Sequence, residues 1–119
     1  MFDSFKTAIA NIIIIVLCLG MVGAGMIKLM SLPQLVEWWD AWGLPHWFRY
    51  VIGAFEFIIG LCIFIPKTRK YALYALIVEM IGAFTIHMAY EEFWETRGPI
   101  LVIVASSLLL YIKYFQTSK

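Results

Sequence analysis

Charge is what this chain has least of: only 14% of its 119 residues are Asp, Glu, Lys or Arg, and they sum to a net charge of +1. No basic stripe and no glycine-rich phosphate loop occurs, which excludes a nucleic-acid partner. Cysteine is almost as scarce. Cys18 and Cys62 form neither a CxxC pair nor a zinc-ligand spacing, so they announce neither a thiol redox motif nor a metal site. On helices that span in opposite directions the two would differ in depth by roughly 10 Å, beyond the ~7 Å that a disulfide allows between Cα atoms. Both are read as small packing residues. What the chain has in excess is apolar surface: 63% of its residues are hydrophobic and its mean hydropathy is +0.87. That composition belongs to a membrane protein.

The apolar runs are too long for core strands, and a spanning helix needs about 20 residues, so the chain has room for four. The expected fold is all-α, a single transmembrane domain over residues 1–119. Its spans are expected at about 8–30, 47–65, 71–90 and 100–115, the last short enough to require tilt or local thinning. The first run follows Lys6 and contains small residues at Val22, Gly23 and Ala24, as a cleaved signal would. The apolar character nevertheless continues past Ala24 without a polar break, so a spanning helix is expected.

Between the first two spans lies SLPQLVEWWDAWGLP, too short and polar to cross. A short interfacial helix is expected at about 32–42, with Ser31 and Gln34 as a capping box and Gly43 with Pro45 as the stop. Leu35, Trp38, Trp39 and Trp42 would share one side and Gln34, Glu37 and Asp40 the other, laying the helix flat at headgroup level. PKTRK after Ile65 reads as a short basic turn.

Lys6, Lys67, Arg69, Lys70, Lys113 and Lys119 fall on one side of the expected bundle, and Lys28, Arg49 and Arg97 on the other. Basic loops stay in the cytoplasm, so both termini are expected on the cytoplasmic side; the membrane expected is a bacterial-type inner membrane. Trp38, Trp39, Trp42, Trp47 and Trp94 then gather at the outer face with Glu37, Asp40, Glu91, Glu92 and Glu95. They are candidate interfacial and docking residues.

Two carboxylates interrupt the spans. Glu56 lies between Gly53 and Gly60, and Glu79 lies near Ala75, Gly82 and Ala83. Gly20, Ala24, Gly53, Gly60, Gly82 and Ala83 are candidate helix-packing residues, because small side chains let helices approach closely. An ionised carboxylate near the bilayer centre costs about 2.5 to 3.5 kcal/mol on insertion scales, so each acid calls for a partner. Counted from the outer helix ends, both fall roughly 14 to 17 Å deep. If they face each other, at least one holds a proton at neutral pH and a shared proton is expected. Lys28 shares a face with Gly20 and Ala24. It either snorkels outward or turns inward to pair with Glu56 or Glu79, and the stripe favours the interior. His87 lies nearer the outer surface, where it either relays protons and bonds a ligand carbonyl or is an interfacial histidine satisfied by water. Lys28, Glu56, Glu79 and His87 form the candidate buried polar cluster. Neither a metal site nor any assignable catalytic residue is found.

GAGMIKLM in the first span, WGLPHWFRYVIGAFEFIIGLCIFIP in the second, and a basic turn followed by MIGAFTIH in the third resemble the DoxX-like family of small four-helix membrane proteins. Gly25, Lys28, Leu29, Gly53, Glu56, Gly82 and Ala83 match its pattern residue by residue. The resemblance implies an accessory, non-catalytic subunit of a quinone-linked or other redox complex, with quinone as the candidate cofactor and other membrane subunits or further copies of the chain as partners. Some relatives instead act as chaperones in assembly, so a structural role stands as the alternative and proton or small-molecule transport as a third. Glu79 lies outside the family pattern, and the chain lacks the paired cysteines of thiol chemistry.

Overall fold

The computed structural model describes residues 2–115, and among these it contains helices and no strand. The helices are α1 (Phe2–Leu29), α2 (Pro33–Ala41), α3 (His46–Phe64), α4 (Pro66–Ala89) and α5 (Arg97–Leu110). A 3-10 turn, Phe93–Thr96, leads into α5, and a π-helical turn, Tyr111–Phe115, continues it. Four segments are long and apolar enough to cross a membrane: Phe2–Leu29, His46–Phe64, Pro66–Ala89 and Phe93–Phe115. The expected all-α four-span bundle is the fold observed. Lys119, one of the basic residues used to orient the chain, lies outside the described residues.

The spans form a ring in which α1 meets α3 and α5, and α4 meets α3 and α5. Large apolar side chains such as Ile12, Val16, Leu19, Leu61, Val78 and Leu101 are left exposed around it. In water so much apolar surface would drive association, whereas in a bilayer it is the lipid-facing surface.

The ring is filled unevenly. At the end holding the start of α1 and the α3–α4 junction, Ala10, Ile14, Ile63, Leu73, Leu76 and Leu109 form a tight core. At the other end α2 lies across the bundle. Leu32, not Ser31, is its N-cap, and no side chain caps it. The Ser31 hydroxyl is drawn away by the guanidinium of Arg49, 3.2 Å from Nη2, so the expected capping box does not form. The stop is as expected: Gly43 has φ +70°, with Gly43 N–H donating to the Asp40 carbonyl and Leu44 N–H to the Trp39 carbonyl. That pair of bonds is a Schellman motif.

The basic turn is the first turn of α4 rather than a loop. Ile65 alone separates α3 from α4. The Thr68 hydroxyl donates to the Cys62 carbonyl at 2.8 Å and Arg69 Nε to the Ile63 carbonyl at 2.7 Å. Residues expected to form only a short basic turn therefore satisfy the carbonyls that the end of α3 leaves open.

Candidate functional site

The site begins with a close helix crossing. A Cβ built on Gly25 would lie 2.5 Å from the Gly53 carbonyl oxygen and 2.6 Å from Phe57 N. One built on Gly60 would lie 2.8 Å from Val22 N and 2.9 Å from the Cys18 carbonyl oxygen. Backbones meet at both levels, so glycine is required by space. This register also brings Cys18 and Cys62 nearer in depth than counting from expected span ends suggests. The difference is about 3 Å, from seven residues below Gly25 against nine below Gly53. Both thiols are free.

The crossing carries the charges. Arg49, Gly53, Glu56 and Gly60 recur every three or four residues along α3, which places them on one face, and all four are buried. Lys28 Nζ approaches Glu56 Oε1 to 2.8 Å, with Glu56 almost fully buried. This is an ion pair by distance, while Oε1 has no partner in hydrogen-bonding direction. The inward orientation of Lys28 is the one observed. Arg49, which the sequence presents only as an outer-side cation, is 1% exposed. Its Nη1 donates to the Lys28 carbonyl at 2.6 Å and the Met30 carbonyl at 3.1 Å, and so closes the end of α1 that carries the lysine.

Glu56 and Lys28 face a cavity of about 600 Å³ at the α2 end of the bundle, and Glu79 and His87 line it too. All four members of the expected polar cluster therefore open onto one space. Glu79 lies within electrostatic reach of both Glu56 and Lys28. The other walls are apolar and come from all five helices, among them Leu17, Met21, Phe48, Ile52, Met80 and Val102. Glu56 lies ten residues after His46, about 15 Å along α3, so its carboxylate sits deep within the span, while Lys28 and His87 reach the cavity from the ends of α1 and α4.

Small residues make this space. Gly53 and Gly60 sit at helix contacts, but Gly20, Ala24, Gly82 and Ala83, expected there as well, line the cavity instead. A Cβ on Gly20 or Gly82 would meet nothing within 4 Å. The reason lies in the ring: α1 and α4 stand across from each other, so their small faces leave room where no helix comes between.

Trp38, Trp39 and Trp42 close the cavity, and Trp47 and Trp94 remain exposed. The apolar side of α2 thus turns toward the bundle, with Gln34, Glu37 and Asp40 outward as expected. A polar latch ties this lid to α4. Glu91 takes φ +57°, and Glu92 N–H donates to the His87 carbonyl at 2.7 Å, folding the chain back over α4. The Glu92 carboxylate then accepts from His87 Nδ1 at 2.7 Å and from Trp42 Nε1 at 3.3 Å, while Tyr90 OH donates to the Trp42 carbonyl at 2.9 Å. The carboxylate holds the proton of His87 on Nδ1, leaving Nε2 as the acceptor. Trp38 and Trp42 meet the His87 ring edge-on, with centroids 6.4 and 5.6 Å away. Glu92 is the site residue that sequence reasoning misses, since in sequence it merges with the acidic loop. Asp40 pairs with His46 at 2.8 Å, outside the cavity lining.

A family model described as DoxX-like matches residues 12–109. The chain belongs to the DoxX-like family. Neither a curated protein nor a solved structure matches it. This DoxX-like chain is a small integral membrane protein in contact with the lipid bilayer, and the match spans the Lys28–Glu56 crossing and every residue of the cavity lining.

Proposed function

We propose that this DoxX-like chain is an accessory subunit of a quinone-linked membrane redox complex, holding a quinone head at the cavity for a partner that carries the redox centre. The observation that carries this reading is the convergence of Lys28, Glu56, Glu79 and His87 on one apolar cavity. Ligand sites have this composition, with apolar walls and a few placed polar groups, and about 300 to 1,000 Å³ is their usual size. The His87 Nε2 can accept from a hydroxyl of the reduced quinone, a protonated carboxyl can donate to a quinone oxygen, and the apolar walls suit the ring and tail. The distribution of Lys and Arg supports both termini in the cytoplasm, and the membrane proposed is a bacterial-type inner membrane. Purification in mild detergent, followed by assay of co-purified quinone and redox subunits, tests the reading. Quinone present, with turnover of the complex lowered by Glu56→Gln, supports it. Neither quinone nor redox partner, with turnover unchanged, refutes it.

A second reading, an assembly subunit without redox role, is favoured by the exposed Trp47 and Trp94 beside the lid. Large aromatic rings at a polar rim suit contact with another membrane subunit as well as with headgroups. Deletion of the gene separates the two. Loss of the partner complex with unchanged turnover per remaining complex favours assembly, and preserved partner levels count against it.

A further inference from the structure

The lid end of the cavity has a chemistry of its own. His87 lines it from the last turn of α4, and its ring makes one hydrogen bond among the described residues, from Nδ1 to Glu92 Oε1 at 2.7 Å. Glu92 is a fixed acceptor. Its carboxylate also takes the Trp42 Nε1 proton at 3.3 Å, and Trp42 is held in turn by the Tyr90 hydroxyl at 2.9 Å. An ionised carboxylate only accepts, so the neutral imidazole keeps its proton on Nδ1 and presents a lone pair at Nε2. Among the described residues nothing donates to that lone pair. Trp42 Nε1 is engaged by Glu92 and Lys28 by Glu56, while the Glu79 carboxyl lies eight residues earlier, about 12 Å along α4. Trp38 and Trp42 stand edge-on to the same imidazole and line the same space. An acceptor therefore sits beside aromatic walls.

Such an end discriminates by hydrogen-bond polarity. A hydroxyl on an aromatic ring donates to Nε2, whereas a carbonyl or ether oxygen in its place sets one lone pair against another. We propose that the lid end of the cavity is a site for phenolic hydroxyls, with His87 Nε2 as the acceptor and Glu92 as the positioning residue that fixes the His87 tautomer and with it the preference for hydroxyl over carbonyl. For a redox ligand this rests on the quinone reading and deepens it, since the hydroquinone is then the form held at His87. The preference for a phenol follows from the cavity and the His87–Glu92 pair alone.

4-Hexylphenol and its methyl ether, 4-hexylanisole, test it, because they share ring and tail and differ in whether the oxygen carries a proton. The purified full chain in maltoside micelles at pH 8 is titrated with each by calorimetry, against empty micelles. Saturable binding of the phenol, about tenfold tighter than the ether, is expected from one buried hydrogen bond made or left unmade. Glu92→Gln, whose amide can donate to Nδ1 and shift the ring proton to Nε2, should bring that ratio toward unity. A lid that is merely loosened weakens both ligands and leaves the ratio alone. Nitrogen-15 spectra of histidine-labelled protein read the tautomer directly, with His46→Gln identifying the other imidazole; His87 should be protonated at Nδ1. If Glu92→Gln does not fold, wild type with the two ligands and its spectra decide. Equal binding of both, no saturable binding of the phenol, a neutral His87 protonated at Nε2, or an unchanged ratio in folded Glu92→Gln overturns the proposal. Phenol preference without co-purified quinone upholds the site and counts against the quinone reading alone, and co-purified quinone without phenol preference does the reverse.

Discussion

Replacing Gly25 with alanine tests the α1–α3 crossing at its tightest point. The added Cβ would stand 2.5 Å from the Gly53 carbonyl oxygen, 2.6 Å from Phe57 N and 3.0 Å from Phe57 Cα, all backbone atoms. None of these can rotate away. Ordinary van der Waals contact begins at 3.4 Å, so the helices must part by about 0.9 Å at this level. Lys28 lies less than one turn further along α1, and the Lys28–Glu56 pair at 2.8 Å stretches with the crossing. Overpacking of this kind costs about 1 to 3 kcal/mol. Gly82→Ala supplies the contrast, since its Cβ meets nothing within 4 Å and alanine is the better helix former. Unfolding of both variants is measured by steric trapping in mixed micelles, where stability is read without heating. The expected result is a loss of about 1 to 3 kcal/mol for Gly25→Ala, with Gly82→Ala unchanged or slightly stabilised. Equal stability of Gly25→Ala and wild type would refute the close backbone contact.

Other perturbations follow from the same geometry. Lys28→Met or Glu56→Gln alone leaves one buried charge unpaired and should cost about 3 to 5 kcal/mol, while the double variant recovers much of the loss; equal losses in all three would sink the pairing, and steric trapping reads each. Arg49→Lys cannot span the Lys28 and Met30 carbonyls together and should lose about 1 to 3 kcal/mol by the same measurement. Glu91→Gly relieves a side chain held at φ +57° and should stabilise the protein by roughly 1 kcal/mol in chemical unfolding. Glu92→Gln weakens the hold on His87, so hydrogen exchange over 33–42 should quicken while exchange over the α1–α3 crossing stays slow.

How much of this was legible in the sequence depends on what kind of force is at work. The Lys28–Glu56 pair was legible because a charge at bilayer depth must find a partner and few candidates exist. The four spans follow from the length of the apolar runs, and the stop at Gly43 follows from backbone geometry that glycine adopts freely. The cavity was not legible. Gly20 and Gly82 have the same composition and spacing whether a helix fills the space beside them or none does, and only the ring order of the helices decides. Ser31 was misread, and the role of Arg49 missed, for a related reason. Each is explained by a partner on another segment, and that bond displaced the local one, a capping box, that the sequence offered. Glu92 was hidden in an acidic run because its role depends on a turn with positive φ at Glu91, a residue type that does not announce such a turn.

The hollow end of the bundle is the feature on which the functional reading depends, and native mass spectrometry of the chain released from mild detergent tests it most directly. Wild type should carry an adduct of quinone mass, and Gly82→Trp, whose side chain grows into open space and fills the cavity, should lose it while keeping the fold. No such adduct on wild type, or the same adduct on both chains, would contradict the account.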